Sequence, residues 1–301
     1  MSEERRGFVL GFAAYVLWGL FPLYWPLLEP SGAIEILAHR VLWSLAVVLV
    51  LVVLTQRRAQ LRALFADRRR ILLLTGAAAV IAVNWGTYIW GVNNHRVVET
   101  SLGYFINPLV TVLMGVFVLG ERLRRLQWLA IGVASVAIAG IAIEYGRLPW
   151  VALVLAFSFG TYGLVKKVAG VEAIESLTYE TLALAPLAAA YLIVLGAHGD
   201  GHFTADGAGH VALLVSTGIV TAIPLLMFGA AAIRVPLTTI GLLQYLAPVL
   251  QFLLGVFALD EQMTTWRWIG FALVWVALAI FTFEAIGHRR RQLELAAQAI
   301  C

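Results

Sequence analysis

Runs of about 20 predominantly apolar residues recur along the whole chain, and no other feature constrains its fold as strongly. A helix of that length crosses the hydrocarbon core of a bilayer, which is roughly 30 Å thick. We therefore predict an all-α polytopic membrane protein with ten transmembrane helices, at residues 7–28, 34–54, 71–92, 100–119, 126–143, 150–168, 174–196, 211–233, 237–259 and 266–286.

The composition excludes a soluble or disordered chain. Charged residues make up 13% of the sequence and hydrophobic residues 61%, whereas a typical soluble domain is about 25% charged. The only cysteine is Cys301, so an intrachain disulfide or a cysteine-based metal site is excluded. The net charge of +4 comes from arginine patches between the apolar runs, which indicates membrane topology and no nucleic-acid partner.

Lysine and arginine lie mainly on one side of the predicted membrane. If the N-terminus is inside, only Arg96, Arg147 and Arg267 of the 21 basic residues fall outside, and Arg40 lies within a span. Cytoplasmic loops carry the excess of Lys and Arg in membrane proteins. Both chain ends are therefore predicted to be cytoplasmic, and residues 287–301 are predicted to form a basic cytoplasmic tail.

The second half of the chain repeats the first at a displacement of 140 residues. The segment Pro108–Glu121 recurs as Pro248–Glu261 with seven of 14 positions identical, and Glu35 recurs as Glu175. Each copy holds five predicted spans, and an odd number forces the second copy to enter the membrane from the opposite face. We predict two inverted five-helix repeats, an architecture of secondary transporters, in residues 1–145 and 146–286.

Several strings resemble the RarD-type permeases of the EamA family, in the drug/metabolite transporter superfamily. They are Glu35-Ile-Leu-Ala-His-Arg40 with Trp43-Ser44, Asn84-Trp85 with Tyr88-Ile-Trp90, Ser101–Pro108 and Phe157–Gly163. The resemblance extends from about residue 7 to 286. It implies ten helices, a multi-pass protein of the inner (plasma) membrane and movement of solutes, commonly efflux. It names no ligand.

The second predicted helix carries Glu35, His39 and Arg40 within an apolar run. A charge at the bilayer centre costs roughly 2.5–3.5 kcal/mol on insertion scales, so these side chains need partners or a wet cavity. The repeat places Arg40 opposite Glu180 and His39 opposite Tyr179. We predict that Arg40 and Glu180 line a central cavity and pair in one transport state. The alternatives are a static ion pair and snorkelling to the interface.

Aromatic and amide side chains are predicted to complete the cavity. Asn84 and Tyr88 share one face of the third helix, with Trp85 beside them, and Trp43 follows Arg40 on the second helix. Such a wall suits an amphipathic or partly aromatic solute. Packing between helices and anchoring at the interface are the alternatives.

Pro108 and Pro248 occupy matching places in the two halves and are predicted to act as hinges. Proline leaves a carbonyl without its helical partner, and interrupted helices at matching places mark transporter sites. A purely structural bend is the alternative. The polar residues that precede the two prolines are also assigned to the translocation path: Tyr104, Asn107, Gln244 and Tyr245.

Two other groups are given structural roles. Glu121 and Glu261 follow matching helices, where each is predicted to cap the next helix or pair with an arginine. The loop from Gly196 to His210 is rich in glycine, and we predict a solvated outer loop without a metal site.

Taken together, these features predict a secondary transporter, most simply an exporter, that works by alternating access. No nucleotide-binding or hydrolase motif occurs, so we predict no enzyme activity and no cofactor. Glu180, Glu35 or His39 could couple transport to protons. An uncoupled facilitator or channel, a lipid-modifying enzyme and a non-transporting receptor remain alternatives. The predicted partners are a small-molecule substrate and the lipid bilayer; the substrate's identity and the oligomeric state, a homodimer included, stay open.

Overall fold

A computed structural model describes residues 2–119, 123–144, 146–232, 234–235 and 243–298. The described residues form α-helices and a short 3-10 helix at Trp25–Leu28. In chain order the α-helices are α1 Glu3–Gly19, α2 Phe21–Tyr24, α3 Ala33–Leu54, α4 Arg58–Ala66, α5 Arg68–Asn93, α6 Val97–Leu119, α7 Arg125–Glu144, α8 Trp150–Ala169, α9 Ala173–His198, α10 Gly207–Ala232, α11 Leu246–Phe257 and α12 Thr265–Gln298.

Helix is found in each of the ten predicted spans. Among the described residues, α3, α5, α7, α9, α10 and α12 are long and apolar enough to cross a membrane by themselves. α1 together with Phe21–Leu28 makes a seventh candidate, bent by 43° where the prolines Pro22 and Pro26 begin. α8 and α11 contribute shorter apolar stretches. The chain is therefore a multi-pass helical membrane protein, and the number of crossings stays a prediction.

Two helical segments differ from the predicted spans. α4 was not predicted, because its nine residues are too few to cross a bilayer. Leu64 is buried in it while Arg58 and Arg62 are exposed, as in a helix that lies along a surface. The last helix continues beyond the predicted end at Ile286 to Gln298, so the backbone of the predicted tail is helical that far.

The helices of the two halves interleave. Helices at matching places in the repeat pack directly on one another: α3 on α9, α6 on α11 and α7 on α12. The other large contacts also form matching pairs, since α5 packs on α8 as α10 packs on α1, and α6 on α8 as α11 on α1. Exchanging the two halves therefore reproduces the packing, as expected if a two-fold axis relates them.

The ends of α3 and α9 show their relative direction. Arg57, just past the end of α3, forms an ion pair of 3.0 Å with Glu175 in the first turn of α9. At the other end, Glu35 in the first turn of α3 accepts a hydrogen bond of 2.8 Å from the backbone N–H of His202, beyond the end of α9. The start of each helix thus lies at the end of the other, and the two helices run antiparallel.

The α7–α12 pair has the same arrangement. Glu144, the last residue of α7, binds Arg267 near the start of α12 at 2.9 Å. Arg124, immediately before α7, forms an ion pair with Glu284 far along α12. These helices are antiparallel as well, and the contacts at both ends hold the two halves of the chain together.

Glu261 connects α11 to the start of α6, which corrects its predicted role. Its carboxylate accepts hydrogen bonds from the backbone N–H groups of Val97 and Val98, the latter at 2.9 Å, instead of capping the helix that follows it. An anion at a helix N-terminus is favoured by the helix dipole. Burial raises the pKa of the Glu261 carboxyl, and the two N–H groups partly oppose that shift. Glu121 lies outside the described residues.

Candidate translocation site

Arg40 lies inside the helix bundle, surrounded by aromatic side chains. It follows the first residue of α3, Ala33, by about 10 Å along the helix, and only 4% of it is exposed. Its guanidinium carbon is 4.0 Å from the ring centroid of Trp85 and 5.2 Å from that of Trp25. Its Nε donates a hydrogen bond of 2.9 Å to the Thr221 hydroxyl.

Three tyrosines and an asparagine extend this cluster. Tyr24, Tyr88 and Tyr104 are the titratable groups that interact electrostatically with Arg40, and the rings of Tyr88 and Tyr104 pack edge to face at 5.7 Å. The Asn84 amide donates to the Leu155 carbonyl at 3.1 Å and to a serine hydroxyl on the same helix at 2.9 Å. Arg40, Trp85, Trp25, Tyr24, Tyr88, Tyr104, Asn84 and Thr221 are called the arginine cluster below.

The arginine cluster draws on both halves of the chain, since Thr221 lies on α10 and Asn84 binds α8. Desolvated cation–π contacts contribute about 2 kcal/mol or more. The contacts to Trp85 and Trp25 are therefore similar in size to the roughly 2.5–3.5 kcal/mol cost of a charge at the bilayer centre. This balance explains how the charge of Arg40 is tolerated inside the bundle.

The predicted pairing of Arg40 with Glu180 is not found in this structure. Glu180 instead accepts hydrogen bonds from Lys166 at 2.9 Å, Tyr162 at 2.9 Å and Ser176 at 2.7 Å. The physical reason is depth. Because α3 and α9 are antiparallel and each charge lies about 10 Å from the start of its own helix, the two charges occupy different levels of the bundle.

Glu180 and its donors form a second buried polar cluster. Glu180 is 1% exposed, and the side chain of Lys166 retains 22% exposure. Lys166 and Tyr162 occupy neighbouring turns of α8. Neither residue was among the predicted site residues, and Lys166 was one of the basic residues assigned to the inner side. The sequence contained a usable signal, because Tyr162 and Lys166 are four residues apart and therefore share one face of an apolar helix.

A third group of contacting side chains lies at the start of α3. The Glu35 carboxylate contacts the His202 ring at 3.0 Å, and the His39 ring stacks on Phe203 with centroids 4.7 Å apart. Of the loop predicted to be solvated, residues 196–200 and 204–209 are exposed, whereas residues 201–203 are partly buried and cover the start of α3. The described residues contain no cluster of three or more His, Cys, Asp or Glu side chains that could hold a metal ion.

A groove of about 470 Å³ lies beside this contact, between α3, the last turns of α9 and the following loop. Glu35, His39 and Trp43 line it together with Leu192 and Phe203. The Nε2 of His39 and the Nε1 of Trp43 are buried without a hydrogen-bond partner. The wall of the groove is mainly apolar.

Four predicted site residues are not among the members of the arginine cluster defined above: Tyr179, Tyr245, Gln244 and Asn107. Tyr179 hydrogen-bonds Thr75 at 2.7 Å and packs on Phe65, between α9 and the α4–α5 corner. Tyr245 packs on the apolar core shared by α6, α7 and α12, and Gln244 precedes it. Asn107 lies on α6 one residue before Pro108.

The two predicted hinges are not equivalent in the structure. Pro108 lies inside α6, whereas Pro248 is the third residue of α11. The first N–H groups of a helix have no intrahelical acceptor, so proline removes nothing there. Pro248 thus lies in the first turn of the described helix α11, residues 236–242 lie outside the described residues, and hinges at Pro108 and Pro248 both stay predictions.

The comparisons with known proteins agree with this architecture. The sequence profile of the EamA-like transporter family matches residues 5–143 and again residues 148–283. The chain belongs to the EamA-like transporter family. Protein RarD of Streptomyces exfoliatus is 56% identical over 99% of this chain and 96% of its own length. An uncharacterized transporter of Pseudomonas aeruginosa is 45% identical, covering 96% of this chain and 97% of that protein.

A solved structure shares the fold of this EamA-like protein. It superposes with a TM-score of 0.60 at 21% sequence identity, covering 93% of this chain and 98% of the other. At that identity the likeness concerns the fold alone. The family and sequence matches identify the chain as a membrane transporter of the RarD type.

Proposed function

We propose that this chain is a secondary transporter that exports small organic solutes across the cell membrane by alternating access. In this proposal ten helices form two inverted five-helix halves with both chain ends in the cytoplasm. The solute binds between the halves at the arginine cluster, which is reached from one face at a time. The antiparallel packing of repeat-equivalent helices around this buried cluster is the observation that carries the proposal.

The end contacts support the inversion. Arg57 with Glu175, and Arg124 with Glu284, each join segments that the charge count assigns to the inner side. The contacts of Glu35 with His202, and of Glu144 with Arg267, join segments assigned to the outer side. Four contacts from two helix pairs, α3–α9 and α7–α12, thus agree with one orientation of the spans. Inverted repeats of this kind supply inward-open and outward-open states from one packing scheme.

The contacts at the two ends of α3 and α9 are proposed to act as gates. Glu35 and Glu175 are equivalent in the repeat, and each binds a cationic or histidine side chain just beyond the other helix. Breaking the Glu35–His202 contact would open the outer end, and breaking Arg57–Glu175 the inner end. Because the two gates are related by the repeat, opening one while the other stays closed exchanges the two states.

The export direction and proton coupling are the finer parts of this proposal. The export direction is carried over from the resemblance to RarD-type permeases. Glu35 and His39 line the groove beside the outer gate, and Glu180 lies inside the bundle, so each is a candidate proton carrier. Transport that is unchanged by a proton gradient would remove the coupling and leave an uncoupled facilitator.

Accessibility of a buried cysteine tests alternating access without knowledge of the substrate. Ser44 is 0% exposed and lies one turn beyond Arg40 on α3. In a Cys301→Ser background, Ser44→Cys should react with a membrane-impermeant maleimide added from either face. Cross-linking Glu35→Cys to His202→Cys should abolish labelling from outside and increase labelling from inside.

The same experiment separates the competing functions. A channel with independent gates would keep its inner labelling unchanged when the outer end is cross-linked. A receptor or enzyme with a one-sided site would be labelled from a single face in every condition. Either result contradicts alternating access.

A further inference from the structure

The buried donors around Arg40 lack acceptors. The Arg40 guanidinium carries five N–H donors. One of them, the Nε–H, has a hydrogen-bond partner in the described part of the chain, the Thr221 hydroxyl. The indole Nε1 of Trp25 and the hydroxyl of Tyr88, 0% and 3% exposed, are also buried without a partner. Trp25 contacts the guanidinium, and Tyr88 is one of its electrostatic neighbours. Each of the three groups can donate a hydrogen bond to an acceptor.

The charge of Arg40 also lacks a counter-ion in the described part of the chain. The three acidic residues of this span and its counterpart are already bound, Glu35 to His202, Glu175 to Arg57 and Glu180 to Lys166. The titratable neighbours of Arg40 among the described residues are tyrosines, which are neutral at physiological pH. A desolvated guanidinium attracts an anion strongly, because the surroundings screen the charge poorly.

The single charge of Arg40 and the aromatic side chains around it limit the class of ligand. Arg40 supplies one positive charge. Lys166, the lysine of the second buried polar cluster, is bound to Glu180. A guanidinium matches a carboxylate, which it can bind through two parallel N–H bonds. The indoles of Trp25 and Trp85 and the rings of Tyr24, Tyr88 and Tyr104 surround that position with aromatic surface.

We propose that Arg40 binds the carboxylate of an organic monoanion whose body is aromatic or apolar. Trp25 and Tyr88 donate to the same carboxylate, and the aromatic rings hold the apolar body. This inference rests on the proposed function, since it names the class of solute that the arginine cluster would carry. It assigns the recognition of charge to one residue, which a matched pair of ligands can test.

The test compares phenylacetate with phenylacetamide, which has nearly the same shape and no charge, and with phenyl phosphate, which carries more charge. Purified full-length protein is titrated with each compound, and binding is followed by indole fluorescence and by the melting temperature, which a ligand of the folded state raises. We expect phenylacetate to bind at least about tenfold more tightly than the amide, the ratio for losing one hydrogen bond to a charged group. Phenyl phosphate should bind more weakly than phenylacetate.

Two variants and a control complete the design. Arg40→Gln should reduce the difference between phenylacetate and phenylacetamide to less than about threefold, and Arg40→Lys should keep part of it because the charge remains without the planar fork. Arg62→Gln removes an exposed arginine of α4 and should bind like the wild type. If Arg40→Gln does not fold, the comparison of the two ligands on the wild-type protein still decides.

The outcomes separate this inference from the proposed function. Equal binding of the acid and the amide, or binding of neither, overturns the assignment of a monoanion. Retention of the full preference in Arg40→Gln overturns the role of Arg40. If phenylacetate binds through Arg40 but shows no counterflow in proteoliposomes, the anion site stands and the transport proposal fails.

Discussion

Removing the amine that faces Glu180 should destabilise the protein strongly. Glu180 is 1% exposed and receives three hydrogen bonds, of which only the one from Lys166 carries a positive charge. Lys166→Met keeps the apolar stem of the side chain and leaves the carboxylate buried with two hydroxyl donors. The change in stability on Lys166→Met therefore measures what the positive charge contributes to the buried Glu180 carboxylate.

The expected loss follows from the geometry of the pair. Removing one partner of a buried ion pair costs about 3–5 kcal/mol. We expect about 3 kcal/mol, the lower end, because the lysine side chain is 22% exposed and Ser176 and Tyr162 still donate. At about 2–4 °C per kcal/mol, the melting temperature in detergent should fall by roughly 6–12 °C.

A second substitution makes the prediction specific. Replacing both charges, in Lys166→Met with Glu180→Gln, should recover most of the lost stability because no uncompensated charge remains. Arg62→Met removes a cation from an exposed position and should change the melting temperature by less than about 1 °C, since exposed charges contribute little. The reasoning is refuted if Lys166→Met melts like the wild type, or if the double variant is less stable than Lys166→Met.

Two further predictions concern helix packing and the Glu261 cap. A Cβ at Gly218 would lie 2.5 Å from the backbone carbonyl of Trp43. Gly218→Ala should therefore separate α10 from α3 and lower the free energy of unfolding, measured by denaturation, by more than about 2 kcal/mol. Gly132→Ala is the control, because a Cβ there meets nothing within 4 Å, and it should be neutral or stabilising in the same assay. Burial raises the pKa of Glu261, so its stabilising contribution is complete below the ordinary carboxyl pKa and is lost as the pH rises through the raised value. Relative to Glu261→Gln, the wild type should therefore lose stability over that weakly acidic window; parallel melting curves across pH would contradict this assignment.

The positions of the helices could be predicted from the sequence because hydrophobic length is a local property. Each predicted span contains helix among its described residues, and the bend near Pro22 is explained by proline chemistry. The short helix α4 was missed because its pattern is amphipathic and brief. Pro248 could not be distinguished from Pro108 by sequence matching, since the difference depends on where α11 begins.

The partners of the polar residues could be predicted only in part. Arg40, Asn84, Trp85, Tyr88 and Tyr104 were selected because polar and aromatic groups stand out in apolar helices. The partner of Arg40, Thr221, is 181 residues away and has an unremarkable sequence context. His202 lies in a glycine-rich loop, and its contact with Glu35 depends on tertiary packing. The repeat correctly pointed to Glu180 as a buried charge, but it carried no information about depth.

The relative orientation of the two halves is the claim on which the rest depends. Arg58 and His198 are 140 residues apart and both exposed: Arg58 lies just beyond α3, and His198 is the last residue of the equivalent helix α9. Single cysteines replacing them in a Cys301→Ser background can be labelled in intact cells with an impermeant maleimide. If the two halves are inverted, the cysteine at position 198 should be labelled in intact cells. The cysteine at position 58 should be labelled only after the membrane is permeabilised. Labelling of both positions from the same face would contradict it.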